Sequence, residues 1–76
     1  MKHKKPRART KAKELIACVA NNIRRYRTQA GLTQEELWDK SGVVVARCES
    51  GRCDMTLSTI DKLSKHLNIK PYELLK

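Results

Sequence analysis

Lys2, Lys4, Lys5, Arg7, Arg9, Lys11 and Lys13 put seven positive charges and no acid at the start of the chain. Such a run favours polyanions, of which nucleic acid is the commonest, and it also serves as a solubilising tail. The remaining residues hold ten positives against eight acids, within a formal net charge of +9. A second stretch with chemical content is Leu32-Thr33-Gln34-Glu35-Glu36-Leu37, followed by Lys40-Ser41-Gly42-Val43 and Ala46-Arg47-Cys48-Glu49-Ser50-Gly51. It reads as two short helices around a glycine turn, a layout that can push the second helix into a DNA major groove.

Other chemistries lack their residues. His3 lies in the cationic run and His66 on a helix, and neither has a nucleophile or carboxylate at a catalytic spacing. No glycine-rich phosphate loop is present, and a small all-helical domain offers little room for a substrate pocket, so no enzyme and no cofactor are expected. Cys18, Cys48 and Cys53 contain no C-x-x-C pair and no neighbouring pair of histidines, which argues against zinc. Their odd number argues against a disulfide framework. They read as small hydrophobes in a reducing compartment, with a Cys48–Cys53 redox pair as the alternative. No motif of an RNA-binding module is present, so RNA would be bound through the basic run alone.

The 76 residues allow one small domain. No apolar run approaches the roughly 20 residues that span a bilayer. Leu15-Ile16-Ala17-Cys18 has the look of a lipoprotein cleavage site, but Lys13 and Glu14 interrupt the apolar stretch such a signal requires. A cytoplasmic protein is expected.

These groups must be positioned by helices. Residues 1–10 contain Pro6 and no apolar periodicity, and are expected to form a flexible basic arm before a domain at 11–76. Leu15, Val19, Ile23, Tyr26 and Ala30 recur at steps of three and four, one face of a helix from about Thr10 to Ala30 that Gly31 would stop. Thr33 and Glu36 make a capping box, with Leu32 and Leu37 as its hydrophobic staple, and start a second helix that runs to about Ser41. A third helix is expected from Val43 or Val44 to Ser50. Thr56 caps a fourth, with Leu57, Ile60, Leu63 and Leu67 as its buried face, and Pro71 opens a short fifth ending in Leu74-Leu75. The class is all-α, with five helices around one aliphatic core.

Ile23-Arg24-Arg25-Tyr26-Arg27, Ala30 to Leu37, Ser41-Gly42-Val43, Arg47 to Gly51, and Leu57-Ser58-Thr59-Ile60-Asp61-Lys62-Leu63 together resemble the Cro/repressor-type helix-turn-helix domains of the Xre family. The likeness covers about residues 14–75. It implies a five-helix, lambda-repressor-like fold and a transcription regulator that binds operator DNA, usually as a dimer; some family members are antitoxins. It further implies that Gln34 contacts backbone phosphate at a helix N-terminus, and that Arg27 and Glu49 pair between the first and third helices.

The chain departs from that pattern twice. The turn and the start of the recognition helix are about three residues short, so that Val43-Val44-Val45 leads almost directly into Ala46-Arg47-Cys48-Glu49. With Val45 and Cys48 facing the core, Arg47 and Ser50 point outward and Val44 lies at the margin, where it can meet only thymine methyls. Trp38 stands where relatives usually carry Ala; it would either fill the gap left by the short helix or point outward to stack on a partner.

Two functions follow. The first is a sequence-specific regulator binding double-stranded DNA. Its phosphate contacts would come from Thr33, Gln34, Lys40, Arg47, Arg52 and Arg24, its base contacts from Arg47, and Arg7 and Arg9 would enter the minor groove. The second is an interaction module, an antitoxin or a partner of another regulatory protein, that keeps the fold and loses base readout. A homodimer is expected from the resemblance, with Tyr72, Leu74 and Leu75 either as its contacts or as the closing residues of a monomer's core.

Overall fold

A computed structural model describes residues 12–76. Its elements in order are α1 (Lys13–Gln29), α2 (Gln34–Ser41), α3 (Val45–Glu49), α4 (Leu57–Leu67) and a terminal 3₁₀ helix, η1 (Pro71–Leu75). The expectation of five helices is therefore corrected to four α-helices and one 3₁₀ turn. The last segment holds only five residues, opens on Pro71, and closes with an i→i+3 bond from the Glu73 N–H to the Lys70 carbonyl, 2.9 Å. So short a segment gains too few i→i+4 bonds to become an α-helix. The arm expected at residues 1–10, with Arg7 and Arg9, lies outside the described residues.

Local sequence chemistry sets most boundaries. Ala12 is the N-cap of α1, with no side-chain cap bond, so the helix starts later than the expected Thr10. It ends in a Schellman motif: the Leu32 N–H reaches the Arg27 carbonyl (3.1 Å), the Gly31 N–H reaches Thr28 (3.0 Å), and Gly31 adopts φ +74°. The α2 capping box is complete, the Glu36 N–H donating to Thr33 Oγ1 (3.0 Å) and the Thr33 N–H to Glu36 Oε1 (2.8 Å). Gly42, at φ +77°, ends α2, and its N–H bonds the Trp38 carbonyl at 2.7 Å. Thr56 caps α4 by accepting from the Thr59 N–H at 3.1 Å. By contrast, α3 has Val44 as N-cap and no side-chain cap bond. Its five residues could not persist alone and are held by packing.

That packing is a single aliphatic core. Val19 and Ile23 of α1, Leu37 of α2, Val45 and Cys48 of α3, Ile60, Leu63 and Leu67 of α4, and Leu74 of η1 are buried together. Each large side chain in it stabilises the fold by about 1.5–3 kcal/mol relative to exposure. Several residues expected in the core lie outside it. Leu15, Leu57 (80 % exposed) and Leu75 face solvent, and so does Ala30, while Ile16 and Ala20 are buried instead. The buried stripe of α1 is thus rotated by about one residue at its N-terminal end. Leu57 is the first residue of α4, ahead of the turn that packs.

The terminal turn is tied to α1 by polar contacts as well as by Leu74. Asn22 Nδ2 donates to the Leu74 carbonyl (2.9 Å) and Tyr26 Oη to Glu73 Oε1 (3.1 Å). Leu74 is fully buried within the chain and so closes the core of one molecule, whereas Tyr72 and Leu75 stay exposed.

Candidate nucleic-acid interface

The α2–α3 pair is held at a fixed angle by one buried carboxylate. Glu49, at the end of α3, is 4 % exposed. Arg27 of α1 grips it with two bonds, Nε to Oε2 at 2.5 Å and Nη2 to Oε1 at 3.0 Å. Gln34, the first residue of α2, donates from Nε2 to Oε1 at 2.9 Å. The third guanidinium nitrogen of Arg27, Nη1, donates to the Leu32 carbonyl at 2.9 Å, in the turn leading into α2. Three helices therefore meet at one ion pair, and no buried side-chain nitrogen or oxygen among the described residues lacks a partner. Burial pushes the Glu49 carboxyl pKa up. The hydrogen bonds from Arg27 and Gln34, with the charges of Arg27 and Arg24, outweigh that penalty and hold it below the usual carboxylate range. The Arg27 guanidinium is raised in turn, chiefly by its bond to Glu49.

Around this node the residues expected to touch DNA are distributed as follows. Arg24 lies beside the C-terminal end of α3, its Nη2 3.4 Å from the Glu49 carbonyl and its Nε 3.7 Å from Glu49 Oε1, with more than half of its side chain in solvent. Arg47 and Lys40 are exposed. Thr33 is exposed, with its hydroxyl committed to the cap of α2. Ser50 is exposed but binds locally: its hydroxyl donates to the Arg47 carbonyl (2.7 Å) and accepts from the Arg52 N–H (3.2 Å), closing the end of α3. Arg52 is exposed on the loop that follows. Val44 is 37 % exposed ahead of the first turn of α3, while Val45 and Cys48 face the core. Trp38 is 49 % exposed, so the outward orientation applies and the indole does not plug a gap beside α3.

Sequence reasoning missed two features of this site. The amide of Gln34 is turned inward onto Glu49, and Arg24 joins the same carboxylate from outside. The signal for the first was present, because Gln34 directly follows the cap that fixes the start of α2. Its partner is 15 residues away, however, and no local rule reports it.

A profile of the helix-turn-helix family matches residues 23–74, which span the C-terminal part of α1, all of α2, α3 and α4, and most of η1. The chain belongs to the Xre-type helix-turn-helix family. It is 35 % identical over 65 residues to a protein of Neisseria meningitidis serogroup B described as a hypothetical transcription factor, covering 82 % of this chain and 61 % of the relative. The chain thus spans about three-fifths of that relative's length. Among solved structures it is similar to the hypothetical transcription factor NHTF from Neisseria, with a TM-score of 0.79 and 32 % identity over 92 % of this chain and 85 % of the other. It is also similar to the restriction-modification controller protein C.AhdI from Aeromonas hydrophila. There the TM-score is 0.74 and the identity 35 %, over 78 % of this chain and 94 % of the controller. Among the described residues of this helix-turn-helix chain, no helix is long and apolar enough to cross a membrane.

Proposed function

We propose that this chain is a DNA-binding transcriptional regulator of the Cro/repressor type, which docks on double-stranded DNA through α2 and α3. The observation that carries the reading is the buried Arg27–Glu49–Gln34 node, which locks a five-residue α3 against α2 while Arg47 points outward and Val44 lies half exposed. A reading helix needs to be rigid with respect to its neighbour, and so short a helix gains that rigidity only from tertiary contacts.

Arg24, Lys40, Arg47 and Arg52 supply cationic groups for phosphate, and the start of α2 at Gln34 offers its backbone N–H. Arg7 and Arg9 add affinity by entering the minor groove. Base readout falls to Arg47, whose guanidinium suits guanine, and to Val44, whose methyls suit thymine. With so few reading groups, most of the affinity is electrostatic and falls steeply with salt. The likeness to proteins described as transcription factors and as a restriction-modification controller supports this reading.

The test is selection from a random-sequence duplex pool at two salt concentrations. The full chain is compared with full-length Arg47→Ala and with the double variant Arg7→Gln, Arg9→Gln. A motif enriched by the parent, kept by the arm variant and lost by Arg47→Ala supports the reading. Affinity that vanishes with the two arm arginines, without any enriched motif, refutes base readout. It would favour the interaction module, an antitoxin or regulatory-protein partner, for which the half-exposed Trp38 is one exposed aromatic anchor.

A further inference from the structure

Two of the three cysteines share one cleft beside the proposed reading helix. An open cavity of about 330 Å³ lies between the end of α2, α3 and the first turns of α4, and Val44, Arg47, Cys48, Cys53, Thr59 and Lys62 are among its walls. Cys48 is buried on α3 and Cys53 is half-buried in the loop from α3 to α4. Between them Gly51 takes φ +77°, a left-handed turn just past the end of α3. Cys18 lies elsewhere, on α1, with its thiol donating to the Lys76 carbonyl at 3.2 Å and accepting from Asn22 Nδ2 at 3.6 Å.

We propose that Cys48 and Cys53 form a reversible intramolecular disulfide on exposure to hydrogen peroxide, and that this bond weakens DNA binding by displacing α3. The second half rests on the DNA-binding reading above; the first does not.

The order of events follows from exposure. Burial pushes the Cys48 thiol pKa up, and the neighbouring Cys53 and Glu49 push it further against a smaller opposing effect of Arg47. Cys48 is therefore the poorer first nucleophile, and the more accessible Cys53 reacts first. The Cys53 thiolate attacks a peroxide oxygen and the O–O bond breaks. Hydroxide leaves and takes up a proton as water, and the sulfur becomes a sulfenic acid. The Cys48 sulfur then attacks the Cys53 sulfur, the S–O bond breaks, and a second water departs with the Cys48 proton. Two thiols lose two electrons and the peroxide gains them.

The consequence for α3 follows from how that helix is held. Val45 and Cys48 are its only apolar anchors in the core. Drawing the Cys48 sulfur out of the core toward Cys53 moves one of those anchors, and with it Arg47 on the lip of the same cleft. Such a bond, lining an open cleft, is within reach of a dithiol that reverses it by thiol–disulfide exchange.

The test treats the reduced full chain with hydrogen peroxide and maps its thiols by mass spectrometry. Binding to a fluorescent random-sequence duplex pool is measured before and after. The expected result is a loss of about 2 Da in a peptide linking Cys48 to Cys53, with Cys18 still free, reversed by dithiothreitol. DNA affinity should fall roughly tenfold on oxidation and recover on reduction. Full-length Cys53→Ser, which leaves the core untouched, should bind DNA like the parent when reduced and lose no affinity with peroxide. Cys53 found as sulfinic acid beside a free Cys48, or a bond to Cys18 or between two chains, overturns the disulfide. A Cys48–Cys53 bond with unchanged DNA affinity overturns the regulatory half alone. A reduced chain with no DNA affinity overturns the reading on which that half rests, while the thiol map still decides the bond.

Discussion

Replacing Arg27 with Met keeps the aliphatic bulk of the side chain and removes its charge, which isolates the buried ion pair. Three hydrogen bonds disappear, two to Glu49 and one to the Leu32 carbonyl. The carboxylate left behind has only 2 % of its side-chain surface exposed. It keeps the Gln34 amide at 2.9 Å and the guanidinium of Arg24 at 3.7 Å. Arg24 is more than half in solvent, so screening limits what it returns. Removing one partner of a buried pair costs about 3–5 kcal/mol. At about 0.05–0.15 kcal/mol per residue, a domain of this size holds about 4–11 kcal/mol in total. Arg27→Met should therefore lower the melting temperature by more than about 12 °C.

Urea unfolding followed by circular dichroism reads the loss directly, and its pH dependence identifies the cause. In the parent the Glu49 pKa is lowered by folding. Its contribution is thus present above the unfolded carboxylate value of about 4.3, and is lost as pH falls through the lower folded value. In Arg27→Met the carboxyl is buried without its main counter-charge, so protonation relieves the variant. The gap between parent and variant should narrow as pH drops from 7 to below about 4. A loss under about 1 kcal/mol, or a gap that does not change with pH, would refute the assignment of Glu49 as the charged node of the fold.

Three further outcomes are expected. Thr33→Ala breaks the capping box and should cost about 1 kcal/mol in urea unfolding, with the helical signature retained. Gly42→Ala meets no atom within 4 Å, so any loss reports only the φ of +77° and should be about 1–2 kcal/mol; Gly42→Asn should recover part of it. Arg24→Ala should weaken DNA binding evenly across sequences and reduce the salt slope by about one, whereas Arg47→Ala should cost about 1–3 kcal/mol at one base position and relax discrimination there. Fluorescence anisotropy over a salt series separates those last two cases.

The elements legible in the sequence are those set by interactions within one helical turn. The capping box at Thr33 and Glu36, the cap at Thr56, and the left-handed Gly31, Gly42 and Gly51 each act over a few residues. The helices they bound accordingly lie close to where the pattern places them. The pairing of Arg27 with Glu49 was reachable only through family resemblance, because no local rule joins residues 22 apart. Packing decided the remainder. Leu15, Leu57 and Leu75 carry the same apolar signal as Ile23, Leu63 and Leu74, yet only the latter three are buried. Periodicity marks a face without saying where along the helix a neighbour stops covering it. Trp38 faces outward, and Gln34 turns inward to a carboxylate on α3, because the crossing of three helices settles which side chains have room and which have partners. Sequence alone determined the caps, the turns and the all-helical class, since those free energies are local. Only the tertiary structure decided the buried charge node, the short rigid α3 and the cleft shared by Cys48 and Cys53, since each depends on residues that folding brings together.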